Sequence, residues 1–220
     1  MISTITDFIY AVEKYSNWLC NNGCRFNEEG FPIPEKEWYL DKWPDQVVPY
    51  RSRNARFIKS KSKTVLCLYC ADKYIYPRID KLFSDMAEYK KYMGVIGSDI
   101  TVTLDMDIEW QEEILLLNQL YMAVLALNEI KVVQNLRIGS QSTLCCYSSV
   151  PHGVMCASGT LGCDQEAEPH DLRYSEKLFF LRPSRVLIYG KSDPLMESQL
   201  KSAGVDYRLY RDVHTLYKTK

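Results

Sequence analysis

Carboxylates, cations and thiols recur in this chain at spacings that suggest three kinds of chemistry. The stretch TLDMD sets Asp105 and Asp107 two positions apart. On an extended strand end both carboxylates face one way, and such a pair of hard oxygen ligands suits a divalent cation. Asp107 also stands where a helix would begin, and there it would serve the helix dipole instead. The second chemistry is cationic. YRSRNARFIKSKSKTV carries Arg51, Arg53, Arg56, Lys59, Lys61 and Lys63 and no acidic residue. Residues 51–64 therefore hold +6, while the other 206 residues hold −7 to give a net charge of −1. On an extended chain Lys59, Lys61 and Lys63 share one side, as do Arg51 and Arg53, and a row of that kind suits the phosphates of a nucleic acid or another polyanion. The alternative is a solvated connector matched to the protein's own acidic surface. A pI near 6.3 argues against a domain dedicated to nucleic acid, which would be basic throughout.

The third chemistry is that of thiols. CLYC (Cys67, Cys70) and CNNGC (Cys20, Cys24) approach the spacing of zinc or redox pairs. Within a strand, positions three apart point to opposite faces, so Cys67 and Cys70 cannot grip one ion without a bend. Buried thiols are the expected state of these cysteines, of the pair in TLCCYSS, and of Cys156 and Cys163. A cysteine nucleophile needs a histidine nearby, and Cys163 with His170 is the candidate pair. ASGTLGCDQ is a glycine-containing loop after a strand, of the kind that offers backbone amides to phosphate or simply turns. Its glycines fit neither the Walker nor the dinucleotide pattern.

These groups need elements to place them. The runs VLCLYC, ITVTL, KVVQNLRI, GVMCAS, RVLIYG and YRLY are short, apolar and β-branched, as strands buried on both faces are. Helical stretches alternate with them: DKLFSDMAEYKKYM, EWQEEILLLNQLYMAVLALNEI, SEKLFFL and DPLMESQLKSAG, the last opened by Asp193–Pro194 and stopped by Gly204. The expected fold is α/β, a mostly parallel sheet of about six strands with crossover helices, either an open sheet or a partial barrel. TITDFIYAVEKYSNWLCNNGC reads as a further helix capped by Thr6 or Asp7 and ended at Gly23. Residues 1–64 are thus expected to form a helical and irregular appendage with a basic connector, and residues 65–220 the α/β domain.

In parallel α/β folds function gathers where strands end. That rule selects Cys70 and Asp72, Asp105 and Asp107, Asn135 and Arg137, Ser158 and Gly159, and Gly190 and Lys191. No window is apolar enough to span a membrane, and the amino terminus does not read as a secretion signal, so the expected setting is cytoplasmic.

From about Phe57 to Tyr210 the chain resembles a family known as domain of unknown function 4417. VLCLYCADKY resembles its acidic-aromatic strand end, with Asp72 matching, and TLDMD its second strand end, with Asp105 in register. LNQLYMAVLALNEIKVVQNLRI places Asn118 and Asn135 comparably. TLCCYSSVPHGVMCASGTLGC carries Cys145 or Cys146, Ser158 and Gly162, and FFLRPSRVLIYGK resembles the ending. Tyr121, Met122 and Ala123 stand where the family has arginines. The resemblance implies an α/β fold and residence on phages, plasmids or other mobile elements. It supplies no reaction.

The function expected first is that of an accessory protein that binds a nucleic acid or a host macromolecule. A metal-assisted hydrolase or phosphate-ester-processing enzyme is the alternative, with Asp72, Asp105 and Ser158 as catalytic candidates and Asp105 and Asp107 as metal ligands. Inhibition of a host system through protein contacts is the third reading. No cofactor is expected other than a divalent cation.

Overall fold

Alternation along each strand decides the architecture. In β2 (Thr64–Cys67) and its extension, Val65, Cys67 and Tyr69 enter one buried cluster while Leu66 and Leu68 enter another. The same happens in β6 (Arg185–Tyr189), where Leu187 and Tyr189 face one way and Val186 and Ile188 the other. The cause is the two-residue period of an extended chain, applied to strands with no polar face. Each strand must therefore be covered on both sides.

The computed structural model describes residues 2–160 and 174–218. The elements run α1 (Ile5–Asn21), β1 (Gln46–Pro49), β2, α2 (Asp72–Asp80), α3 (Leu82–Tyr89), β3 (Gly94–Ile96) and α4 (Ile108–Leu127). They continue with β4 (Val132–Asn135), β5 (Met155–Gly159), α5 (Tyr174–Leu181), β6, α6 (Pro194–Ser202), β7 (Asp206–Tyr210) and α7 (Val213–Lys218). All seven strands are parallel and lie in chain order, β1 to β7, in one nearly closed barrel. The inner cluster, which includes Val47, Val65, Ile96, Val133, Met155, Ala157, Leu187 and Tyr210, fills the barrel. The larger outer cluster lies between the sheet and the helices. Of the two arrangements expected for the sheet, the partial barrel is the one found.

Three sequence expectations change. The sheet gains a strand, because β1 comes from the segment 1–64 and pairs in register with β2, Val47 opposite Val65. ITVTL is not a strand. Ile100 and Val102 are buried and Thr101 and Thr103 exposed, but the Thr101 amide is taken by Asp72 rather than by a neighbouring strand. β-branched alternation marks an extended backbone with one buried side; a ladder needs a partner as well. The strand at this place is the three-residue β3, just upstream. Finally, α1 starts two to three residues earlier than expected: Thr4, not Thr6 or Asp7, is its cap, and Asp7 completes the reciprocal capping box from inside the helix.

The helices hold the barrel from outside. α1 packs on α4 and on α3 through Phe8 against Trp110 at 4.7 Å and Trp18 against Phe83 at 5.3 Å. The Tyr15 hydroxyl donates to the Ile79 carbonyl at the end of α2. At the amino-terminal end of the strands, Tyr39 bridges to Val132, and the Pro44 carbonyl before β1 accepts from Tyr210, the last residue of β7, at 3.0 Å. Trp43 lies under Arg208 (4.7 Å) and Arg185 (5.8 Å). The amino-terminal end is thus crossed by residues 39–45. Among the described residues, no helix is long and apolar enough to cross a membrane.

A packed interior makes a definite demand on stability. Leu187→Ala, inside the barrel and fully buried, should cost about 2–5 kcal/mol. In urea unfolding this lowers the midpoint with the slope unchanged. A loss below about 1 kcal/mol would mean that the barrel interior is open rather than filled.

Candidate functional site at the carboxyl ends of the strands

Because all strands are parallel, their carboxyl ends open on one face. Asn135, the last residue of β4, organises that face. Its amide oxygen accepts from the Tyr69 hydroxyl at 3.1 Å. Its amide nitrogen donates to the Ser98 carbonyl at 3.1 Å and to Asp99 Oδ1 at 2.9 Å. The partners settle the amide's orientation, since a hydroxyl faces the oxygen and two acceptors face the nitrogen. The Ser98 hydroxyl in turn donates to Asn118 Oδ1 in α4. The two asparagines marked in the sequence therefore belong to one network, Asn118 beneath and Asn135 at the rim.

Asp99 is the carboxylate at the centre. One oxygen lies 3.8 Å from the Arg137 guanidinium, and 21% of its side chain is exposed. Burial raises its carboxyl above the ordinary 3.8, and the nearby Asp72 charge adds to that. Arg137, the Asn135 hydrogen bond and Lys177 of α5 pull the other way without cancelling it. A carboxyl group raised by desolvation and set among cations is the type of group that exchanges protons. Asp72, the first residue of α2, is committed to Thr101, accepting from its amide at 3.1 Å and its hydroxyl at 3.0 Å.

Aromatic rings seal the space below. Tyr69 stacks on Tyr189 with centroids 5.8 Å apart and planes at 16°. The Tyr189 hydroxyl accepts from the Val213 amide at 3.1 Å, which ties α7 to the rim. Gly159 is required beside them, because a Cβ there would stand 2.8 Å from the Tyr69 ring. Ser158 donates to the Tyr174 hydroxyl at 3.2 Å, at the start of α5.

The basic segment meets this face at one end. It is the β1–β2 crossover, and Arg51 stands two residues past the end of β1, where its charge is felt at Cys70 and Tyr189. Cys70 is half-buried, and burial pushes its thiol up to about 11, with Arg51 opposing and Asp99 and Asp72 reinforcing. At neutral pH it is a thiol and not a thiolate. The expected row of lysines does not form. Lys61–Lys63 is a 3₁₀ turn, in which positions two apart diverge. Lys61 pairs with Glu88 at 2.8 Å, and Arg53 lies on the Tyr50 ring at 4.4 Å. Arg51, Arg56, Lys59 and Lys63 are exposed and have no carboxylate partner among the described residues.

Of the residues marked in the sequence, the structure gathers Arg51, Asp72, Asn118, Asn135, Arg137 and Ser158 about this face. It leaves others apart. Asp105 is exposed on the turn before α4, its carboxyl held below the ordinary range by Thr103, and Asp107 is the N-cap of α4. Neither enters a cluster of three metal-ligating groups among the described residues. The Lys191 backbone is tied to Thr160 (2.7 and 3.0 Å) and its side chain is exposed. Gly162, Cys163 and His170 lie outside the described residues. The cysteines are mixed: Cys67, Cys146 and Cys156 are buried, while Cys20 and Cys145 are exposed.

Asp99, Tyr69, Tyr174 and Lys177 escape a reading of the sequence alone. Asp99 follows GVIGS, whose apolar run is too short to stand out as a strand beside the longer ITVTL. The one available signal is the glycine pair bracketing that run. Gly94 and Gly97 sit where a Cβ would meet the Lys131 carbonyl at 2.8 Å and the Met122 sulfur at 2.5 Å.

No curated protein and no solved structure matches the chain significantly. One family profile does, described as a domain of unknown function (DUF4417), over residues 27–208. The matched span runs from before β1 into β7 and contains every described residue of the Asp99 network, so the chain belongs to the DUF4417 family.

Proposed function

We propose that the carboxyl-end face is the active site of an enzyme acting on a phosphate-bearing ligand. The observation that carries this reading is the partly buried Asp99 carboxyl, raised above its ordinary range and held by Asn135 within 3.8 Å of Arg137. In this reading Arg137, with the positive charge of Lys177 and Arg51 around it, receives the anionic group. Asp99 gives or takes the proton of the reacting oxygen. Asn118, Ser98 and Asn135 fix the carboxylate's orientation and touch no substrate. Asp72, bound to Thr101, contributes negative charge that keeps Asp99 protonatable.

Asp99→Asn separates function from folding. The folded carboxyl is raised, so folded Asp99 holds its proton more tightly than the unfolded chain does. Its contribution to stability is fully present below 3.8 and is lost as the pH climbs through the raised folded value. Asn removes that loss. The variant should therefore melt at or above the wild-type temperature at neutral pH, with the gain vanishing in acid. Against a panel of chromogenic phosphate mono- and diesters and nucleotides it should lose about 10²- to 10⁴-fold in turnover. A wild-type protein that cleaves nothing in the panel, and whose melting is indifferent to inorganic phosphate and nucleotides, would remove the proposal.

A second reading has an observation of its own. Arg51, Arg56, Lys59 and Lys63 are exposed without carboxylate partners among the described residues, and the segment reaches the face at Arg51. That supports a polymeric polyanion, a nucleic acid bound along the crossover by an accessory protein of a mobile element. Retention on heparin and gel shifts with single- and double-stranded DNA and RNA test it. Replacing Arg56, Lys59 and Lys63 together by Gln should flatten the slope of log affinity against log salt by about 2–3. Equal slopes for variant and wild type would exclude this surface.

A further inference from the structure

Away from the Asp99 network, a second group of chemically capable side chains meets between α4 and the 3₁₀ helix Gln141–Tyr147. The Glu112 carboxylate and the Cys145 and Cys146 thiols bring one ligand atom each to within 4.8 Å of the others. Adjacent cysteines on a regular strand would point apart. Here the 3₁₀ turn carries both sulfurs toward α4, Cys146 buried and Cys145 exposed.

The approach of the two elements is built in. Gly139 lies so near α4 that a Cβ would come within 2.1 Å of Gln111 Oε1. Gln111 Oε1 accepts from the Ser140 amide at 2.6 Å, and its nitrogen donates to the Met106 carbonyl at 2.7 Å. Two turns along α4, the Gln119 amide donates to the Cys146 carbonyl. Glu112 and the two thiols stand between these polar clamps.

We propose that Glu112, Cys145 and Cys146 bind one zinc-type divalent ion. Two sulfurs and one carboxylate oxygen are a ligand set for zinc or cobalt and a poor one for magnesium or calcium. In a tetrahedral site with metal–sulfur bonds of about 2.3 Å, neighbouring ligands stand roughly 3.4–3.8 Å apart. The contraction required from at most 4.8 Å is therefore no more than about 1–1.4 Å. That distance is within reach of side-chain rotation, since Cys145 is exposed and its sulfur contacts to the Ser142 carbonyl at 3.0 Å and to Cys146 can be exchanged for the ion. Both thiols release their protons to solvent as the ion binds. The three side chains leave a fourth position for water.

The consequence is mechanical. The ion ties the 3₁₀ helix to α4 between the Gln111 and Gln119 clamps. The Tyr147 hydroxyl donates to the Arg137 carbonyl, so the same tie steadies the residue that faces Asp99. The site is one of structural support for the rim.

Full-length protein, reduced and stripped with a chelator, is titrated with Co²⁺ and then Zn²⁺. The expected result is one Co²⁺ per chain with a thiolate-to-cobalt charge-transfer band, which Zn²⁺ abolishes. Cys145→Ser and Cys146→Ser should each lose most of the band and weaken binding at least tenfold, Glu112→Gln should weaken it, and Cys20→Ser should leave it unchanged. X-ray absorption of the zinc-loaded wild type needs no variant to fold, and should show two sulfur and two lighter neighbours. A first shell of oxygen and nitrogen alone, a band that survives in Cys145→Ser/Cys146→Ser, or a Cys145–Cys146 disulfide in protein kept under reducing conditions would overturn the assignment.

Discussion

Every described strand except β7 is buried on both faces, and the requirement that each face be covered shapes everything else. A parallel sheet with apolar residues at successive positions has no side to turn to water. Curling the sheet satisfies one face against itself, and the crossover helices satisfy the other. Inside, aliphatic side chains leave room for tyrosines only near the strand ends, where hydroxyls find partners: Tyr210 at the Pro44 carbonyl, Tyr69 at Asn135 and Tyr189 at the Val213 amide. The polar side chains that strands do carry are thereby driven to their termini. Asn135 is the clearest case, a buried amide whose oxygen and nitrogen are both engaged.

The rim is an electrostatic compromise of a kind that stability alone would not select. Desolvation lifts Asp99, the neighbouring Asp72 lifts it further, and Arg137 and Lys177 only partly offset this. An apolar or amide residue in its place would cost less to bury. Among the described residues, the Arg137 Nε atom is also buried without a partner, and so is Asn118 Nδ2 in the same network. Buried polar groups are nearly always paired, and two of the three unpaired buried side-chain atoms among the described residues belong to the network around this one carboxylate.

Charge in the β1–β2 crossover follows a different logic. Two of its six cations are spent on local order, Lys61 on Glu88 and Arg53 on Tyr50. The remaining four are solvated, and only Arg51 is close enough to the rim to act on its groups. Local charge density is thus a poor guide to which cations are available. The chain's path decides that.

How much of this could be read in advance depends on the range of the interaction concerned. Helix and strand types were legible because they follow from periodicity and end signals within a dozen residues, as in Asp193–Pro194 opening α6 and Gly204 following it. Strand-end positions were legible where the strand itself was, which is why Asp72, Asn135, Arg137 and Ser158 could be marked. ITVTL has the local signature of a strand and lacks a neighbour, whereas the three residues of β3 have two neighbours and almost no signature. Strand pairing is a long-range property, so local periodicity points to Asp105 as a strand-end carboxylate where pairing makes it Asp99. The meeting of Glu112 with Cys145 and Cys146 was equally out of reach, since it rests on the close approach of α4 that Gly139 permits. The sequence by itself determined a parallel α/β chain whose polar side chains collect where strands stop. The tertiary structure alone decided which of those side chains share a dielectric, because that depends on how far the sheet curls and on which loops its closure brings together.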